Sequence, residues 1–267
     1  PLANNRLEKE KRFENLDIFA LANRQFLNNN IIPIAYKRIK TEAFYTDGSC
    51  APNKKCPEAV AGYGIYFSEG HLNGFKVIGN LETPPDASNN RAEGIAILRG
   101  LIFSRYHMKL DEYKYSGYDY LYKGMDLINK SFVKNENAID CKTIHPVFDE
   151  LFVYTDSELW CNILNTYIYK WLEQGSIRDQ QNKDIINQIW ELLLLYFSEG
   201  RKVYFVHIPG HNRLNYASYP EDSKEYQHFY YNNITDELAN FARKNLKRGE
   251  EYIFRCEYET FVKAYNK

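Results

Sequence analysis

The sequence predicts an α/β fold: a mixed five-stranded sheet, an antiparallel meander plus parallel strands, flanked by helices and carrying extended loops. Three observations predict it. Three short apolar runs, EAFYTDGS, AVAGYGIYF and LNGFKVIGN, follow one another closely with turn residues between them, as strands of a meander do. Two further runs, ELFVYTD and RKVYFVHIPGH, are separated by segments with helical periodicity, the spacing that lets strands run parallel. A helical pattern also comes after the meander and another after the last strand, so helices are available to cover the sheet.

Taken in order, residues 1–41 form an N-terminal extension, charged at first and Asn-rich around Asn28 to Asn30, in which Arg6 to Phe26 has the spacing of a helix. A central domain spans 42–248. After its meander, Asn89 and Asn90 stand where helix caps belong, ahead of RAEGIAILRGLIFSRY, in which Ala92, Ile95, Ala96, Ile97 and Leu101 suit a buried face. Residues 107–146 are rich in Tyr and Lys, weakly periodic, and read as an insertion. Regular structure returns with the strand ELFVYTD, the helix SELWCNILNTYI, a connector through KWLEQGS, and the longer helix NKDIINQIWELLLLYF. The strand RKVYFVHIPGH, a polar loop over 212–233 and the helix ITDELANFARKNL close the domain, leaving 249–267 as a C-terminal tail.

Composition limits the function classes. At 267 residues and 44% hydrophobic, the chain can bury one sizeable core, and no apolar stretch approaches the roughly 20 residues of a membrane span. No membrane partner is expected. The five cysteines, Cys50, Cys56, Cys141, Cys161 and Cys256, lack the close pairing of a zinc site and read as reduced thiols, so an intracellular location is expected. With 34 basic and 35 acidic residues, the net charge of -1 argues against holding nucleic acid by bulk positive charge. The chain begins at Pro1, which leaves a longer parent chain open.

Four acids stand where chemistry gathers. Asp47 and Asp156 each close a predicted strand, and in an open sheet ligands collect at the carboxyl ends of strands. Glu93 lies one turn into a helix and Asp236 near the start of another, positions from which short side chains reach the same crevice. Two unit charges about 4 Å apart repel by on the order of 4 kcal/mol at an effective dielectric of 20, so such a cluster calls for cations. Oxygen-only ligands suit magnesium or manganese.

On the segments FYTDGSC, SNNRAEGIAIL, VYTDSEL, PGH and NNITDELA, in that order and between about Glu42 and Leu246, the sequence resembles the ribonuclease H family. The resemblance implies a ribonuclease H-like fold and a type 1-like enzyme that hydrolyses the RNA strand of an RNA–DNA hybrid to 5′-phosphate and 3′-hydroxyl ends. It implies two Mg2+ ions, with Mn2+ able to substitute, held by Asp47, Glu93, Asp156 and Asp236, and a mobile-loop histidine, His211, that assists proton transfer or product release. It further implies hybrid contacts from Asn53, Ser88, Asn89, Asn90 and Asn232, and a grip on the DNA strand near Trp171. A monomer is expected, with the hybrid as partner.

The sequence departs from the family pattern at Glu158, where many members carry Gln, and in the length of the stretches between Glu93 and Asp156 and between His211 and Asp236. Glu158 brings a negative charge to a position that otherwise contacts RNA. Residues 1–41 also lack the glycine and aromatic pattern of a hybrid-binding module. Two alternatives stay open: the ribonuclease H portion of a reverse-transcribing polyprotein, and a catalytically weak hybrid-binding protein.

Overall fold

The structure is a computed structural model that describes residues 36–51, 60–81, 88–106, 122–123, 145–210 and 219–265. The helix expected over Arg6 to Phe26, most of the 107–146 segment, Asn53 and His211 lie outside the described residues. The strands are β1 (Tyr36–Cys50), β2 (Ala61–Glu69), β3 (Lys76–Asn80), β4 (Tyr122–Lys123), β5 (His145–Thr155), β6 (Lys202–His207) and β7 (Glu251–Phe254). They form one sheet in the order β4-β7-β3-β2-β1-β5-β6. The meander β1-β2-β3 is antiparallel, while β5 runs parallel to β1 and β6 parallel to β5.

The helices are α1 (Asn89–Tyr106), α2 (Glu158–Asn162), α3 (Ile168–Gln174), α4 (Lys183–Ser198), α5 (Lys224–Asn245) and α6 (Tyr258–Tyr265), with a π-helical turn (Ile163–Tyr167) between α2 and α3. One face of the sheet, with Phe44, Ile65, Phe67 and Val153, packs on Ala92, Ala96, Ile97 and Leu101 of α1 and on Ile186, Ile189 and Leu193 of α4. A smaller core on the other side joins Ile78 and Phe254 to Leu238, Phe241 and Ala242 of α5 and Phe261 of α6.

Glycines decide how closely helices and sheet approach. A side chain at Gly62 or Gly64 of β2 would run into the α5 backbone at Arg243 and Thr235. One at Gly48 would run into the α1 backbone at Ala92 and Glu93. These contacts seat the starts of two helices against the end of β1, where Asp47 stands.

Several boundaries differ from the sequence expectation. The sheet has seven strands among the described residues, not five. The expected C-terminal tail supplies β7 and α6, and the expected insertion contributes β4, which pairs with β7. Both β4 and β7 are too short for periodicity to mark; the β3 edge recruits β7 through pairs such as Val77 with Ile253. β1 begins at Tyr36 rather than Glu42, because the parallel partner β5 starts at His145 and pairs with it there.

The helix expected from Ile234 begins at Lys224, inside the loop expected over 212–233. Ser223 caps it, its Oγ accepting the Tyr226 N–H at 3.2 Å. The aromatics of this first half, weak helix formers by themselves, find partners on the sheet: Tyr231 meets Tyr45 and Tyr66 with ring centroids 5.0 Å away in each case. Helix α1 is likewise capped by Ser88, whose Oγ accepts the Arg91 N–H at 3.1 Å, and Asn89 and Asn90 are its first residues rather than its caps.

Candidate active site

Period two along β1 puts Tyr45, Asp47 and Ser49 on the face toward α5. Tyr45 meets Tyr231 there, and Ser49 donates to Asn240 Oδ1 at 2.8 Å. Register brings the other acids in. Thr46 pairs with Thr155, so Asp47 and Asp156 come next as neighbours at the carboxyl ends of two parallel strands. Asp47 pairs with Gly64, whose bare Cα faces the Thr235 carbonyl, and Asp236 comes next along α5. Glu93 arrives from α1 by way of Gly48.

The electrostatics record this convergence. Asp47 is 6% exposed, and its carboxyl is held well above the usual range, first by burial, then by the negative charges of Asp156 and Asp236 and, least, of Glu93. The Gly48 N–H, donating to Asp47 Oδ1 at 2.7 Å, opposes that rise. Glu93, 8% exposed, is pushed up to about 7 by burial and by Asp156, against hydrogen bonds that lower it. Ser157 supplies one, donating to Glu93 Oε2 at 2.5 Å, and Asn89 the other, donating to Oε1 at 2.6 Å.

Each acid is steadied by a neighbouring donor. Ser157 is also the α2 cap, and its orientation is set by the seating of Trp160, whose indole N–H donates to the Asn90 carbonyl at 2.6 Å. A side chain at Gly94 would overlap the Trp160 ring, so glycine there lets α1 and α2 meet and joins Ser157 to Glu93. Asn232 approaches Asp156 Oδ2 at 3.5 Å, and Asn240 donates to Asp236 Oδ1 at 3.0 Å. Among the described residues, no three acid, His or Cys side chains stand close enough as placed to share one ion. By chemistry the set fits a hard divalent cation: its donors are all carboxylate oxygens, and their mutual repulsion at Asp47 is what a cation would offset.

Of the other sequence-picked positions, Asn89, Asn90 and Glu158 are exposed beside the acids, at the starts of α1 and α2. Ser88 caps α1. Asn232 is 2% exposed and faces Asp156. Trp171 lies away from the acids on α3, half-buried against the main core and 5.8 Å from the Tyr167 ring. Gly210 sits against the site, where a Cβ would lie 3.1 Å from Asp156 Oδ2.

Sequence reasoning passed over several residues. His207 is exposed, with Nε2 3.2 Å from the Asp156 carbonyl oxygen; its pairing with Thr155 across β5 and β6 was the available signal. Ser157, Ser49 and Arg243 were also missed, because each acts through a partner distant in sequence, and so was Asn240, which is oriented by the distant Ser49 and holds Asp236 four residues away.

Residues 134–243, which carry Asp156 and Asp236, match the family model described as RNase H. Two mammalian proteins named Ribonuclease H1 are similar across a broader stretch. That of Mus musculus is 26% identical over 169 residues, 63% of this chain and 43% of the mouse protein. Over these stretches the chain is similar to the ribonuclease H family.

The Ribonuclease H1 of Rattus norvegicus is 25% identical over 169 residues, and this chain spans 43% of the length of either relative. Among solved structures, the PFV RNase H domain is 18% identical over 76% of this chain and 93% of its own, with a TM-score of 0.45.

Proposed function

We propose that this chain is a divalent-metal-dependent endonuclease that hydrolyses the RNA strand of RNA–DNA hybrids, leaving 5′-phosphate and 3′-hydroxyl ends. The observation that carries the reading is the placement of Asp47 and Asp156 at adjacent ends of parallel strands, with Glu93 and Asp236 brought alongside through the close approaches at Gly48 and Gly64. These carboxylates would hold two Mg2+ ions, or Mn2+ in their place, which when bound supply a water nucleophile at neutral pH and stabilise charge on the leaving oxygen.

The chain's own groups set the geometry. Asp47 and Asp156, at adjacent strand ends, would present carboxylate oxygens to the same cations, while Ser157 and Asn89 hold the Glu93 carboxylate and Asn240 holds that of Asp236. Asn89 and Asn90, exposed at the rim, are placed to contact RNA 2′-hydroxyls, the group that distinguishes RNA from DNA. Glu158 stands at the same rim and moderates the grip on phosphates by its charge. Asn53 is assigned to backbone contact and His211 to proton transfer or release, the latter supported by Gly210 lying against Asp156.

The test is cleavage of labelled RNA–DNA hybrid, double-stranded RNA, single-stranded RNA and duplex DNA, each with and without magnesium. Cutting of RNA in the hybrid alone, and only with magnesium, is expected; equal cutting of duplex DNA would overturn the reading. Asp47→Asn or Asp156→Asn should reduce turnover below detection while hybrid binding stays measurable. Near-normal turnover by either variant would show that these acids are not the catalytic set.

A further inference from the structure

We propose that Arg243 is a positioning residue for Asp236, acting with Ser49 to fix which side of the Asn240 amide meets the carboxylate. The inference rests on the endonuclease reading for its kinetic consequence, but its geometry stands apart from that reading. Asp236, Asn240 and Arg243 are spaced i, i+4 and i+7 on α5 and therefore share one helix face. That face meets the end of β1 because Gly62 has no side chain to hold the Arg243 backbone away.

A carboxamide has one accepting end and one donating end. The accepting end of Asn240, Oδ1, takes hydrogen bonds from Ser49 Oγ at 2.8 Å and from Arg243 Nη2 at 3.3 Å. Arg243 Nε also donates to Ser49 Oγ at 2.9 Å, which fixes the hydroxyl that serves Asn240. With its oxygen claimed by these donors, the amide must turn Nδ2 toward Asp236, and Nδ2 donates to Asp236 Oδ1 at 3.0 Å. The reverse orientation would set an amide oxygen against a carboxylate and an NH2 group against a guanidinium, repulsive at both ends.

Without Arg243, Ser49 alone cannot enforce the choice, since a hydroxyl can donate or accept. Asn240 then visits both orientations, and Asp236 loses a fixed partner. The guanidinium touches neither a phosphate nor a reacting atom in this scheme. Its effect is on the turnover step and on cation affinity, not on the grip on nucleic acid.

The test compares Arg243→Ala, Arg243→Lys, Asn240→Ala and the double Arg243→Ala/Asn240→Ala variants in the full chain. Arg243→Ala should lower kcat about 10-fold, the scale for removing the partner of a metal-holding group, with KM within about twofold. Arg243→Lys, which keeps a charged donor group but on a single nitrogen, should recover part of the loss, and the double variant should be no slower than Asn240→Ala alone. Apart from activity, Mg2+ titrations followed through the 13C resonance of the Asp236 carboxylate should show the midpoint moved about 10-fold higher in Arg243→Ala.

A raised KM with unchanged kcat would make Arg243 a phosphate contact and overturn the proposal, as would losses that add in the double variant. Should Arg243→Ala fail to fold, Asn240→Ala must reproduce the same loss and the same shift in midpoint, and wild-type behaviour of that variant refutes the scheme. If the wild-type protein cleaves no hybrid, the endonuclease reading fails; the carboxylate titration still decides the role of Arg243.

Discussion

Glu42 shows what a single buried carboxyl does to this fold away from the reaction. It lies on β1 five residues before Asp47, fully buried, with the His71 N–H donating to its Oε2 at 3.3 Å. Burial pushes its carboxyl up to about 8, against the lowering effect of the His71 hydrogen bond and of Arg201. In the unfolded chain the same group titrates near 4.5. The folded state therefore holds a proton that the unfolded state releases, and stability must fall as pH rises from about 4.5 to about 8. Glu42→Gln, neutral throughout, should leave stability unchanged near pH 4.5 and raise it by about 1–2 kcal/mol at pH 8, or several degrees in Tm. Thermal melts of both proteins across that range check the sign, and a variant less stable than wild type at pH 8 would show that ionised Glu42 is supported by Arg201.

At the scale of elements, β7 is tied to α1 by a buried ion pair. Arg99 donates to Glu251 Oε2 through Nε at 2.7 Å and to Oε1 through Nη2 at 2.5 Å, and the Tyr63 hydroxyl also donates to Glu251. Glu251 is 3% exposed, so removing it alone strands a buried guanidinium and a buried phenol. Glu251→Ala should cost about 3–5 kcal/mol in chemical denaturation, the range for breaking one side of a buried pair. Glu251→Gln keeps a hydrogen-bond acceptor and should cost less. A loss below about 1 kcal/mol for Glu251→Ala would mean that the pair is solvated and that β7 is held by its strand pairing and the Phe254–Phe261 stack alone. The elements around the acids have a different anchor, the close contacts at Gly48, Gly62 and Gly64, where any side chain would move a helix and its acid together.

For the whole molecule, the balance of 34 basic against 35 acidic residues sets how it meets a polyanion. A net charge of -1 gives little long-range attraction, and Glu158 stands exposed where α2 begins. Hybrid binding should therefore be modest and cutting distributive. The plot of log affinity against log salt should be shallower than about -4, the slope that four or five neutralised phosphates would give. Binding titrations between about 50 and 200 mM salt would measure it, and a steeper slope with processive products would place an unrecognised basic surface outside the described residues.

The local sequence determined the class of fold and the central strands, and it singled out the four acids of the proposed site. Asp47 and Asp156 end apolar runs that read as buried strands, and a glycine turn after the first and helical periodicity after the second mark where each strand stops. The structure places both at adjacent strand ends and brings Glu93 and Asp236 to them. What local pattern could not determine was whatever depends on a distant partner. EYIF is four residues long and becomes β7 because β3 offers an edge; KEYQHFYYNN becomes helix because Ser223 caps it and His228 and Tyr231 meet aromatic rings of the sheet. Ser157, Asn240 and Arg243 likewise acquire their roles from groups 64, 191 and 194 residues away in the chain. Periodicity reports which face of a segment is buried, but hydrogen-bond partners are assigned by register and by the approach distances that glycines permit, and those exist only once the chain has packed.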